Sequence, residues 1–236
     1  MANSWFQFKQ FLVKQEHAAM KVTTDACLFG AWVAEKMMNT PITRALDIGT
    51  GTGLLSLMLA QKIPAPIDAV EIDEAAFYEA SDNISSSVFK GLITVHHSDI
   101  KLYDEALRYD LIICNPPFFE RSLRSPVSEV NLARHESGLS LEELIATARL
   151  RLSPTGSFAL FLPWSRLDTA NKIAQSNSLW PAFTCSVRQT EKHDAFRAMV
   201  IYSNSKETIS EELVIRQEGR YSNEFSYLLR DYYLQL

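Results

Sequence analysis

Four consecutive residues near the middle of the chain, Asn115-Pro116-Pro117-Phe118, are of types that can do chemistry together. Proline has no N–H to give to a ladder, so a strand must stop here. The two rings hold the Asn115 and Pro116 carbonyls in a stiff direction. Rigid acceptors, the Asn115 side chain and the Pro116 backbone carbonyl, suit a group that offers two N–H bonds. An amine conjugated to an aromatic ring or an acyl group is a poor nucleophile because its lone pair is delocalised. Accepting both hydrogens favours a pyramidal nitrogen with that lone pair free. Such bonds tighten as positive charge develops on nitrogen, which stabilises a transition state without prior proton removal. The Phe118 ring offers a face for a base drawn out of its stack, an interaction worth about 1–3 kcal/mol per base in single-strand binders. The bland alternative is a strand terminator with a buried Phe. Phe119 is expected as wall or core, and Cys114 as a small core residue.

A second constellation lies upstream. In LDIGTGTGLL, Asp47, Gly49, Gly51 and Gly53 alternate, with Thr50 between the first glycines. Glycines at this spacing let a backbone turn sharply and approach a ligand without a Cβ in the way. The dinucleotide fingerprint would need a glycine where Leu54 stands, which disfavours a nicotinamide or flavin enzyme. Glu71, followed by Ile72, ends the next apolar run, where a carboxylate can accept two ribose hydroxyls. Ser98-Asp99 follows the run after that. Capping for Asp99 and an ordinary surface carboxylate for Glu71 are the competing roles. Upstream, Thr23, Thr24 and Asp25 mark a helix start whose free N–H groups and hydroxyls could hold a carboxylate, with Lys21 adding charge; simple capping of that helix explains them as well.

These residues need a scaffold that brings them to one edge. From Arg44, ALDI, LLSLMLAQK, IDAVEI, EAAFYEASDNISSSV, ITVHH and YDLIIC alternate strand-like and helical patterns, the pattern of βαβ units in a doubly wound, mostly parallel α/β sheet. The strand-like runs lack polar alternation, as expected when helices cover both faces. Residues 116–137 carry proline and polar punctuation with little periodicity, longer than most connections. Helical spacing resumes at LSLEELIATARLRL, with Ser140 and Glu143 placed for a capping box. Pro154-Thr155-Gly156 is expected as a turn into the strand SFALFL. FTCSVRQTEKHDAFRAMVIYS reads as an antiparallel hairpin closing the sheet, Trp5 to Val13 as one short strand, and Asp25 to Met37 as an amphipathic helix. The tail YLLRDYYLQL is expected as a packed helix or an edge segment.

Length and composition bound the rest. At 236 residues and 47% hydrophobic, one large catalytic domain fits: residues 41–236 as the core, with residues 1–40 as an extension packing on it and helping to form the site. A net charge of −5 argues against a uniformly basic surface but leaves room for a local basic face. Three widely spaced cysteines, Cys27, Cys114 and Cys185, suggest neither a disulfide framework nor a metal motif. His96, His97 and His193 lack ligand spacing, so no metal is expected. The start carries no signal-peptide pattern and no apolar run approaches the roughly 18 residues of a membrane span, so a cytoplasmic protein without a membrane partner is expected. A monomer is the expected state.

The spacing DxGxGxG resembles the first motif of class I methyltransferases that use S-adenosylmethionine (AdoMet). With Asn115-Pro116-Pro117-Phe118, the chain resembles enzymes that methylate exocyclic or amide nitrogens. Within that set the layout resembles the bacterial tRNA adenine methyltransferases acting just 3′ of the anticodon of valine tRNA. The FxFKxF start, KVTTDACLFGAW, LDIGTGTG, VEID, CNPPFF and ARHE carry the resemblance over most of the first 140 residues. It implies a Rossmann-like seven-stranded sheet, methyl transfer to the 6-amino group of adenine 37, and S-adenosylhomocysteine as product. It also implies a cofactor site of Lys21, Thr24, Asp47, Gly49, Thr50, Gly51, Gly53, Glu71, Ile72, Ser98, Asp99 and Asn115, with Asp99 near the adenine amino group. Many relatives carry Tyr where Phe118 stands. The alternative acceptors are a release-factor glutamine amide or an adenine or guanine amine of ribosomal RNA, the former disfavoured because about 40 residues before the first core strand leave little room for a separate domain. A non-enzymatic AdoMet sensor is disfavoured by the intact Asn-Pro-Pro-Phe. For tRNA contact the basic residues to consider are Lys9, Lys14, Arg121, Arg124, Arg134, His135, Arg188, Lys192 and Arg197, interleaved with aromatic residues.

Overall fold

The apolar runs on either side of the glycine loop assemble, in the computed structural model, into one sheet. The structure describes residues 3–17, 21–103, 106–117 and 139–236. After a small hairpin of β1 (Trp5–Gln7) and β2 (Leu12–Lys14), the strands of the main sheet are β3 (Ala45–Ile48), β4 (Ile67–Glu71), β5 (Ile93–His97), β6 (Tyr109–Cys114), β7 (Leu152–Pro163), β8 (Trp180–Thr190), β9 (Ala195–Ser203), β10 (Ile209–Gln217) and β11 (Arg220–Tyr221). Their spatial order is β11-β10-β8-β9-β7-β6-β3-β4-β5. The strands from β5 through β3 to β7 pair in parallel, while β9 runs antiparallel to both β7 and β8. The expected mostly parallel sheet with a closing hairpin is therefore present. It carries nine strands instead of seven, because β10 pairs with β8 and β11 folds back on β10.

Both faces of the central strands are apolar, which explains their unbroken hydrophobic runs. On β6, Leu111 and Ile113 face one core while Ile112 and Cys114 face the other. Among the described helices, α1 (Thr24–Met37), α2 (Leu54–Ala60), α3 (Glu74–Ser85) and α6 (Asn223–Leu229) bury residues in the first core. Helices α4 (Leu141–Arg151) and α5 (Leu167–Ser176) bury theirs in the second. Local capping sets several starts. Thr23 caps α1, Asp73 caps α3, and Ser140 and Glu143 complete the capping box of α4.

Three local expectations change. The amino-terminal strand is a hairpin, with Phe6 opposite Val13. Helix α1 is not amphipathic: Ala26 through Ala34 are all buried, because it is covered by α2, β7 and α6 together. Residues 154–156 are not a turn before β7 but an irregularity within it. Tyr109 pairs with Leu152 while Leu111 pairs with Ser157, so four residues of β7 bulge out of the ladder. Gly156 is required there, since a Cβ would lie 2.7 Å from the Tyr109 carbonyl oxygen.

The two ends of the chain meet. Phe8, Phe11 and Val13 are buried with Phe225, Tyr232 and Tyr233, and Phe8 forms a backbone bridge with Tyr233. Each such aromatic contributes about 1.5–3 kcal/mol by leaving water. The tail is helical through α6 and then packs by its tyrosines.

Candidate active site

The strand order reverses at β3, which has β4 and β5 on one side and β6 and β7 on the other. Ile48, its last residue, pairs with Val70 and with Cys114. The glycine loop and Asn115 therefore leave the sheet from in-register positions on adjacent strands. A crevice at the carboxyl ends of such strands is where doubly wound folds bind ligands.

The loop between β3 and α2 needs its glycines. Gly49, Gly51 and Gly53 have φ of 68°, 57° and 81°, in the left-handed region. Nothing lies within 4 Å of a Cβ built on Gly49 or Gly51, so the loop faces open space where a ligand can rest on backbone. Asp47 fixes its shape: Oδ2 accepts from the Thr50 hydroxyl at 2.7 Å and the Ser56 hydroxyl at 2.8 Å. Its Oδ1 is buried without a hydrogen-bond partner. Burial pushes the Asp47 carboxyl up to about 6, against which the two hydroxyls pull. Asp47 is fully buried and holds the loop from beneath.

Glu71 closes the loop from β4. Its Oε2 accepts from the Gly51 N–H at 2.8 Å and its Oε1 from the Ile72 and Asp73 N–H groups, both at 2.9 Å. Oε1 is thereby filled, and Oε2 can accept a further bond. Among the described residues no Lys, Arg or His forms an ion pair with Asp47 or Glu71. Two uncompensated carboxylates under an open loop make a floor that favours a cation. Ile72 is 52% exposed beside Glu71, a large apolar face at the rim. Ser98 donates its backbone N–H to the Glu71 carbonyl, and Asp99 accepts the Lys101 N–H at its side chain, the capping role weighed above.

At the start of α1, Thr23 accepts the Ala26 N–H and so serves as its cap, while Thr24 and Lys21 are exposed. Asp25 pairs with Arg197 of β9 at 3.1 Å, which fixes the start of α1 against the hairpin. At the end of β6, Asn115 and Pro116 are partly exposed and Pro117 exposed; the Asn115 side chain has no hydrogen-bond partner among the described residues. Phe118 and Phe119 lie outside the described residues, as do Arg121, Arg124, Arg134 and His135.

The other basic residues divide. Lys9 donates to the Arg230 carbonyl. Arg188 is committed to the His193 and Glu191 carbonyls and pairs with Glu212 at 3.2 Å, so it stiffens the β8–β9 turn. Arg197 is bound to Asp25 and lies over the Phe161 and Phe196 rings. Lys14 and Lys192 are exposed and without an ion pair among the described residues. Among those residues, no group of three or more His, Cys, Asp or Glu is placed to hold a metal ion. All three cysteines are buried and free; burial pushes the Cys27 and Cys185 thiols up to about 12, so neither is a nucleophile.

Two residues the sequence did not single out belong to this edge. Asn83 of α3 donates to the Lys14 and Thr52 carbonyls and accepts the Lys14 N–H, tying β2 to the glycine loop. A single sequence shows nothing of what lies across from a buried Asn. Trp164, 39% exposed, follows Pro163, the last residue of β7, at the same end of the sheet as Asn115. Its place after a strand was the available signal.

Residues 30–176 match the methyltransferase small domain family. Over the full length of both chains the sequence is 39% identical to a Parabacteroides distasonis protein named tRNA1(Val) (adenine(37)-N6)-methyltransferase. A protein of that name from Dyadobacter fermentans is 46% identical over 73% of this chain and 70% of its own. The chain belongs to the tRNA1(Val) (adenine(37)-N6)-methyltransferase family. The fold of this methyltransferase is shared with a predicted O-methyltransferase of Agrobacterium tumefaciens, at a TM-score of 0.65 and 18% identity, covering 87% of this chain and 95% of that one. It is shared too with a Listeria monocytogenes protein assigned to the class I S-adenosylmethionine-dependent methyltransferases, at a TM-score of 0.60 and 14% identity over 84% and 67%.

Proposed function

We propose that this chain transfers a methyl group from AdoMet to the 6-amino group of an adenine in tRNA, adenine 37 beside the anticodon of valine tRNA. One observation carries the reading: an open glycine loop and an Asn-Pro-Pro edge whose Asn115 side chain has no partner among the described residues emerge side by side from β3 and β6. The acceptor follows from the names of the full-length relatives.

The residues present fit AdoMet. Gly49, Thr50, Gly51 and Gly53 give a backbone floor, the remaining acceptor site on Glu71 Oε2 suits a ribose hydroxyl, and Asp99 suits the adenine amino group. Thr24 and Lys21, exposed at the start of α1, offer donors to the methionine carboxylate. The uncompensated Asp47 and Glu71 favour the positive charge of a sulfonium. When bound, AdoMet supplies an electrophilic methyl group. The Asn115 side-chain carbonyl and the Pro116 carbonyl accept the two hydrogens of the adenine amine, Pro117 stiffens that edge, and Phe118 stacks on the base. Because these acceptors are fixed in advance, they stabilise the charge that forms on nitrogen with little reorganisation. The proton then leaves to solvent after transfer. Residues 1–40 contribute to the site through the Asn83 link and the start of α1, and Lys14 and Lys192 contact the tRNA backbone, together with the loop cations Arg121, Arg124, Arg134 and His135.

The test is transfer from labelled AdoMet to unmodified bulk tRNA, with nucleosides resolved by mass spectrometry and Asn115→Ala as control. Label in 6-methyladenosine, lost in the variant by a factor of at least about 100, as for removal of one transition-state acceptor, supports the reading. Label appearing instead in ribosomal RNA or a release factor would overturn the acceptor.

A further inference from the structure

A buried cation stands behind the turn that carries Asp99. Arg151, the last residue of α4, is 4% exposed, and its Nη2 donates to the Ile100 carbonyl at 2.6 Å and the Tyr103 carbonyl at 2.8 Å. Among the described residues it has no ion pair, and its Nε has no partner. The two carbonyls close a single turn. The Asp99 carbonyl accepts the Leu102 and Tyr103 N–H groups, and Asp99 Oδ1 accepts the Lys101 N–H at 2.8 Å. Asp99 thus caps the N–H end of the turn and Arg151 the carbonyl end. From the opposite side the Tyr103 ring lies 4.9 Å from the His96 ring, and His96 is held by Asp68 at 3.0 Å.

Burying a guanidinium without a carboxylate is unfavourable, and an apolar side chain of similar volume would serve the core of α4 better. What the cation supplies that a Leu or Met could not is two donors in a fixed fork aimed at the turn. Helix α4 begins at Ser140, just after residues 118–138 that follow the Asn-Pro-Pro edge, and Glu143 in its first turn pairs with Lys101 of the same turn at 3.5 Å. The helix therefore reaches the Asp99 turn from both its ends.

We propose that Arg151 is a positioning residue for the cofactor's adenine: by fixing the Ile100 and Tyr103 carbonyls it sets the orientation of Asp99 toward the 6-amino group. The inference rests on the reading of Asp99 given above. Its action runs through the turn, so it governs discrimination between an adenine and a 6-oxo purine rather than methyl transfer itself.

The test compares binding of S-adenosylhomocysteine with that of its inosine analogue, by calorimetry, in the wild-type chain, Arg151→Met and Asp99→Ala, with thermal unfolding alongside. The wild type prefers the adenine ligand, and both variants lose roughly tenfold of that preference, the size of one hydrogen bond to a charged group. The kcat of Arg151→Met at saturating AdoMet stays within about threefold, as expected when binding and not chemistry is affected. If Arg151→Met keeps the wild-type preference while Asp99→Ala loses it, the inference is overturned and the reading of Asp99 stands. If Asp99→Ala also keeps it, or the wild type shows no preference, both fall. Should Arg151→Met fail to fold, Arg151→Gln, whose amide nitrogen ends two bonds short of Nη2 and so loses the fork on the two carbonyls, reads the same ratio, and an unchanged ratio there overturns the inference.

Discussion

Two aspartates on adjacent strands, Asp47 and Asp68, divide the molecule into two kinds of electrostatics. Leu46, next to Asp47, is the register partner of Asp68, and both carboxylates are buried. Asp68 has a cation and two further partners: Arg44 Nε at 2.6 Å, Tyr109 Oη at 3.0 Å and His96 Nε2 at 3.0 Å. Burial would raise its carboxyl, but these partners hold it below the usual range. Asp47 has two hydroxyls and, among the described residues, one orphaned oxygen and no cation, and its carboxyl is pushed up. The same side chain is a fastener at one site and a reserve of negative potential at the other. The incompletely satisfied carboxylate beneath the glycine loop supports the ligand reading proposed for that edge.

The comparison can be broken in four places. Removing the fastener has the largest effect: Asp68→Ala strands Arg44, His96 and Tyr109, and denaturant unfolding should show a loss of about 3 kcal/mol, with AdoMet affinity of the folded fraction unchanged. Asn83→Ala leaves the Lys14 and Thr52 groups unpaired, and should cost about 1–3 kcal/mol by the same measurement. Asp47→Asn should weaken AdoMet roughly tenfold, equivalent to about 1.4 kcal/mol; an unchanged Kd by calorimetry would remove the cation-favouring floor. The same variant alters pH dependence. A folded carboxyl raised from 3.8 to about 6 binds protons the unfolded chain has released, so stability falls as pH rises from about 4 to 6. Asp47→Asn should flatten that slope. Asp68 contributes in the opposite sense, with stability present above the ordinary carboxylate range and lost as pH falls through its lowered value. Lys101→Ala, at an exposed pair, should leave the melting temperature unmoved.

Much of this was legible in the residues. β6 has the bounds of the run YDLIIC, because a strand buried on both faces reads as a continuous apolar segment; β5, at the sheet edge, has those of ITVHH although of its residues only Ile93 is buried. The glycine loop was legible because its φ values exclude other residues. What escaped depends on contacts between distant segments. Helix α5, β10 and β11 carry mixed patterns that acquire meaning only against the sheet they extend. Burial of α1 on all sides needs α6, about 190 residues later, and the Arg151 fork needs a turn about 50 residues earlier. Of the candidate site, types and spacing pointed to the loop and Asn115, whose in-register exits from the sheet support the proposed role, whereas Arg188 and Arg197, expected as RNA contacts, form ion pairs that hold the hairpin and α1.

The extra strands end the sheet in a particular way. β10 and β11 join through Glu218 and Gly219, both with positive φ, the two-residue turn whose twist suits a tight hairpin. β11 is two residues long, and Arg216 lies over its Tyr221 ring at 4.6 Å. β11 covers only the last two residues of β10, and the uncovered part of that edge carries Glu211 and Glu212, charges that discourage backbone pairing by another chain. The final hairpin thus acts as a selvedge at one corner of the nine-stranded sheet.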